Sequence, residues 1–153
     1  MRNLDEIVIH CTATTGDARG DVDVDVVRRW HTSPPRSWSD VGYHYLIRRD
    51  GSIEVGRPIT RPGAHTRGHN STTIGIVYTG GIDPDTREPA DTRTDDQRDA
   101  LFSLIVSLSQ VFPTIRRIRG HRDFPGVSKS CPCFDVPAEF GFLFDEQTQR
   151  PRA

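Results

Sequence analysis

The chain has 153 residues, 34% of them hydrophobic and 27% charged, with a formal net charge of -1 at pH 7. That length suits one domain with a sizeable core, and the even charge balance speaks against a protein whose main task is gripping nucleic acid. No apolar run approaches the roughly 20 residues that span a bilayer, Met1–Glu6 does not read as a signal peptide, and three cysteines do not make a disulfide framework.

The first element is the β-branched run Ile7-Val8-Ile9-His10, which predicts a buried strand. Cys11 to Gly16 is small and polar and reads as loop. Asp21 to His31 predicts a helix, with Val22, Val26, Val27 and Trp30 on one face, stopped by Pro34-Pro35. Tyr43 to Arg48 alternates as a strand, and Arg49-Asp50-Gly51-Ser52 turns it into a second, Ile53 to Val55. The loop from Gly56 to Thr72 exceeds the ~12–15 residues usual for idle connections, which points to function. Thr73 to Tyr78 predicts another buried strand, ended by Gly80-Gly81, and 83–93 an exposed excursion. A helix is expected over 95–112, with a capping box from Thr94 and Gln97. Its stripe is Leu101, Leu104, Ile105, Leu108, Val111 and Phe112. Ile115 to Gly120 is a last strand, His121 to Phe134 a Pro/Gly/Cys-rich loop, and 136–145 a short terminal helix. Interleaved strands and helices give an α/β single domain, with a central mixed sheet flanked by helices.

His10 ends the first strand, His121 follows the last, and Cys131 lies ten residues further on. Sites in α/β sheets gather where strands end. Two imidazoles and a thiolate fill three positions of tetrahedral zinc and leave one for water, as catalytic zinc requires. Taken singly, His10 or His121 reads more readily as a hydrogen-bonded histidine. Cys131-Pro132-Cys133 can also be read as a metal half-site or a redox pair, though no second Cys pair exists to complete a structural zinc site. Cys11 is expected on the opposite strand face from His10, as an inert buried thiol. On pattern alone Tyr43 is a core aromatic sharing a face with Tyr45 and Ile47, and Lys129 a solvated loop residue. Yet every basic side chain except Lys129 is arginine, and only lysine has a pKa that its surroundings readily move.

Seven stretches occur in one order: His10-Cys11-Thr12-Ala13-Thr14, Asp40-Val41-Gly42-Tyr43-His44-Tyr45, Arg49-Asp50-Gly51, Gly63 to Asn70, Ile74-Gly75-Ile76, Gly120-His121-Arg122-Asp123 and Lys129-Ser130-Cys131-Pro132. Together they resemble the zinc-dependent N-acetylmuramoyl-L-alanine amidases, in particular the lysozymes of T-seven-like phages, which share a fold with peptidoglycan recognition proteins. The resemblance covers about residues 5–146 and leaves 147–153 as a flexible tail. It implies an enzyme of the endolysin type that cleaves the amide between N-acetylmuramic acid and L-alanine in peptidoglycan. By the same resemblance His10, His121 and Cys131 hold one zinc ion, Tyr43 and Lys129 are catalytic, and His65 contacts substrate in the groove. His31, His44 and His69 are read as structural.

Relatives with Ser at the third ligand position typically bind peptidoglycan without cutting it, so Cys131 favours an enzyme. The resemblance further implies a monomer made in the host cytoplasm, acting on the wall after holin-type release. The alternative is a peptidoglycan-binding or RNA polymerase-regulating module of the same fold. The nine residues before His10 look short for contact with the polymerase. Recycling amidases of soluble muropeptides typically carry Asp where Cys131 stands. Two departures from the family pattern are expected to matter. Extra residues around Phe124-Pro125-Gly126-Val127 alter the groove edge, and Cys133, in place of a small residue, competes for metal or oxidises.

Overall fold

The computed structural model describes residues 2–144. Its centre is β1 (Glu6–Cys11), in which every residue is buried. A continuous run of β-branched side chains suits a parallel strand covered on both faces. β1 pairs in parallel with β5 (Thr73–Tyr78) on one side and β7 (Arg117–Gly120) on the other. β3 (Tyr45–Ile47) adds in parallel to β5, and β4 (Ile53–Val55) closes that edge antiparallel to β3. The five-stranded order is β4-β3-β5-β1-β7. The sheet is therefore mixed, and its parallel strands all finish at one edge.

Alternation along β1 sends Ile7, Ile9 and Cys11 to one face. There they pack against Leu101, Ile105 and Leu108 of α2 (Asp95–Val111) and Val136 and Phe140 of α3 (Val136–Phe140). The other face carries a smaller cluster in which Leu46 and Val77 meet Val24 and Val27 of α1 (Val24–Thr32). Helix α2 starts on the expected capping box: Thr94 Oγ1 accepts from Gln97 N at 3.0 Å, and Gln97 Oε1 from Thr94 N at 3.0 Å. The β3–β4 turn uses Gly51 at φ 85°, left-handed backbone that favours glycine.

Several expectations are corrected. Helix α1 is capped by Asp23 and buries Val24, Val27 and His31, not a Val22/Val26/Trp30 face. Val22 precedes the cap, and Trp30 is 45% exposed. Tyr43 precedes β3 rather than lying in it, so it packs on the α1 side while Tyr45 and Ile47 pack on the α2 side. The stretch read as loop after His10 contains a two-residue strand, β2 (Thr14–Thr15), paired in parallel with β6 (Gly81–Ile82). Val111 ends α2 68% exposed instead of completing its apolar stripe. The terminal helix is one short turn, α3, followed by a 3-10 turn at Gly141–Leu143. Positions 145–146 and the expected tail lie outside the described residues.

Candidate active site

Because β1 and β7 are parallel neighbours with Ile9 opposite Gly120, the residues following that pair, His10 and His121, come together. Their ring centres are 4.7 Å apart. The loop after His121 returns Cys131 to the same edge through two backbone contacts. Arg122 N donates to Cys131 O at 2.8 Å, and Cys11 N donates to Cys131 Sγ at 3.2 Å. Donor atoms of His10, His121 and Cys131 all lie within 4.8 Å of one another. Two nitrogens and one sulfur at this spacing fit the donor set of a zinc ion with an open fourth position.

Electrostatics prepare these groups as ligands. Burial holds His10 well below the ordinary histidine pKa, reinforced by His65 and His121. Burial also lowers His121, with the Lys129 ammonium adding to the effect. Both rings are thus neutral near pH 7, as metal binding needs. The Cys131 thiol is drawn below its usual pKa, chiefly by hydrogen bonding with the Cys11 thiol, against burial. Cys11, by contrast, is pushed up to about 12, chiefly by its contact with Cys131. The asymmetry makes Cys131 the thiol of the pair that ionises more readily.

A cavity of about 240 Å³ opens beside this cluster, lined by His121, Cys131, Tyr43, Lys129, His31 and Arg36 among others. The Tyr43 ring centre is 5.0 Å from that of His10. Burial pushes the Tyr43 phenol well above its usual pKa, so it stays a proton-bearing donor. Lys129 is exposed and forms no ion pair among the described residues. Arg36, which the sequence did not single out, also lines the cavity, its guanidinium 5.7 Å from the Trp38 ring centre. The only local signal was a cation between Pro35 and Trp38. Trp30 forms a further, half-exposed aromatic part of the lining.

His65 is not on the open cavity. It is 9% exposed and sits behind His10, its Nδ1 2.9 Å from His10 Nε2. Its contact in this structure is with another site residue, His10, rather than with the cavity. His31 and His44 accept backbone N–H groups, from Gly42 at 2.8 Å and Gly75 at 3.0 Å, and His69 meets Phe124 edge to face. Phe124 is buried against Arg119, so the extra loop residues anchor on the sheet edge. Cys133 Sγ lies 3.4 Å from Gly81 O and 4.0 Å from Cys11 Sγ, outside the ligand cluster.

Known proteins share this architecture and sequence. The family model described as N-acetylmuramoyl-L-alanine amidase matches residues 1–134. The endolysin of Klebsiella phage KP32 is 41% identical over 131 residues, covering 86% of this chain and 82% of that protein. The endolysin of Escherichia phage T7 is 37% identical over 134 residues, 88% of this chain and 83% of its own. Among solved structures, the N-acetylmuramoyl-L-alanine amidase LysC from Clostridium intestinale URNW superposes with a TM-score of 0.71 at 28% identity, covering 90% of this chain and 82% of that one. The sheet, the clustered His10, His121 and Cys131, and these matches agree: the chain belongs to the N-acetylmuramoyl-L-alanine amidase family.

Proposed function

We propose that this peptidoglycan-cleaving amidase works through one zinc ion held by His10, His121 and Cys131, with Tyr43 and Lys129 as catalytic donors. The hydrolase activity follows from the family and its endolysin relatives; the residue roles are our reading. The observation that carries them is the convergence of three metal-competent donors within 4.8 Å at a cavity shared with Tyr43 and Lys129. Bound there, the ion would supply Lewis-acid polarisation of the amide carbonyl and hydroxide at neutral pH.

The chain's own groups do the rest. As water adds to the carbonyl between the lactyl group and L-alanine, negative charge develops on its oxygen. The Lys129 ammonium and the Tyr43 phenol, both on the cavity wall, are donors suited to that charge. Arg36 adds a second cation to the wall, which suits the carboxylates of a stem peptide. Trp30 offers an indole face for the apolar side of a sugar ring. In this reading the chain acts as a monomer, reaching the wall from the producing cell's cytoplasm by holin-type release.

Purified peptidoglycan digested with and without chelator and added zinc tests the reading. New L-alanine amino termini that vanish with chelator and return with zinc support it. New reducing ends would mean a glycosidase and overturn it, and wall binding without cleavage would leave only a binding module.

A further inference from the structure

His65 occupies a slot made for its ring. A Cβ at Gly75 would lie 2.6 Å from His65 Cδ2, and one at Gly63 2.7 Å from the same atom. Any larger residue at either position collides with the imidazole where it stands. Both ring nitrogens are engaged: Nδ1 lies 2.9 Å from His10 Nε2 and 3.0 Å from Thr66 Oγ1, and Nε2 lies 3.2 Å from Thr73 Oγ1.

The direction of this buried chain is fixed at its far end. Thr73 Oγ1 donates its one proton to His69 O at 2.8 Å, so towards His65 it can only accept. His65 therefore carries its proton on Nε2 and presents a bare Nδ1. Facing that lone pair, His10 must donate from Nε2, which leaves the lone pair of its own Nδ1 free. The Thr66 hydroxyl, 3.0 Å from His65 Nδ1, can only share that single lone pair in a three-centre bond, which leaves this order unchanged.

From this geometry we infer that His65 is a positioning residue: with Thr73 it holds His10 in the tautomer and ring orientation that offer Nδ1 to the metal. The inference rests on the metal assignment proposed above. Groups that orient metal-bound histidines in this way are worth roughly 10–100-fold in affinity.

The test is zinc affinity by competition with a chromophoric chelator, together with nitrogen-15 NMR of the metal-free chain to read the His10 tautomer. His65→Leu removes the acceptor and is expected to weaken zinc binding by roughly 10–100-fold. His65→Asn, whose Oδ1 can accept where Nδ1 did, is expected to restore most of the loss. Thr73→Val, which frees the far end, is expected to fall between. His65→Leu binding zinc as tightly as the unmodified chain, or His10 protonated at Nδ1, would overturn the inference. If His65→Leu does not fold, the His10 tautomer in the unmodified chain decides alone. An unmodified chain that takes up no zinc overturns the metal assignment, whereas tight zinc binding unaffected by His65→Leu sinks only the positioning role.

Discussion

Lys129 and Tyr43 illustrate how single residues acquire meaning from their neighbours. In isolation one was a solvated loop cation and the other a core aromatic; the structure brings both to the cavity beside His121 and Cys131. Lys129→Ala and Tyr43→Phe are each expected to lower kcat by roughly 10²–10³-fold, the cost of one oxyanion donor, with zinc content unchanged. Release of amino termini in single turnovers, beside metal analysis, checks this. An unchanged kcat would remove the residue from the mechanism. Cys131→Ser is expected to lose both zinc and hydrolysis while still sedimenting with sacculi. The metal-competent trio was visible in the sequence because each member stood at a strand end or in the following loop. The buried slot of His65 was not legible in the sequence, because it depends on Gly63 and Gly75, which only the fold brings together. Arg36 had no periodic or motif context at all.

At the scale of elements, the strands that carry the site were legible where residues were both β-branched and continuous, as in Glu6–Cys11 and Thr73–Tyr78. Two-residue strands such as Thr14–Thr15 and Gly81–Ile82 have no periodicity to read. The face of α1 differs from the expected one because the helix begins at Val24, beyond Val22, and because His31 rather than Trp30 joins Val24 and Val27 on the buried side. Capping chemistry reads well from sequence and has a measurable cost. Thr94 also donates to Arg49 O at 2.7 Å, so Thr94→Ala is expected to lower stability by about 1–2 kcal/mol, read from the urea midpoint. The edge near β7 is held by a different device. Glu6, 1% exposed, is bridged by Arg119, whose guanidinium also lies 4.0 Å from the Phe124 ring centre. Arg119→Met leaves the buried Glu6 carboxylate only the longer pair with Arg117 at 3.7 Å and is expected to cost about 3 kcal/mol, the low end for a broken buried pair. A loss below about 1 kcal/mol would mean that the Arg117 pair or water suffices to hold the charge.

The whole molecule inherits an acid sensitivity from its buried histidines. Burial brings His31 and His44 down to about 4, against about 6.5 in an unfolded chain. Between those values the unfolded chain binds protons that the folded one refuses, so stability falls as pH drops from about 6.5 to about 4 and rises again with pH. Each group contributes up to about 1.4 kcal/mol per pH unit within that window. Urea midpoints of the metal-free chain from pH 7.5 to 4.5 should trace this decline, and His31→Asn should shallow it. A flat profile would mean that these rings find partners for their charged forms. The sheet order also places the parallel strand ends on one side, which is why chemistry collects there.

The single lysine has one more consequence. Acylating reagents that seek primary amines have one side chain to attack within this sequence, and it stands exposed on the cavity wall. The arginines that carry nearly all the remaining positive charge are inert to such reagents. Apart from the α-amino group, which peptide mapping separates, covalent labelling would therefore converge on Lys129. Label incorporated per chain would then count competent sites, and loss of hydrolysis should track it one for one. A composition bias spread over the whole surface thus becomes a chemical handle on one point of it.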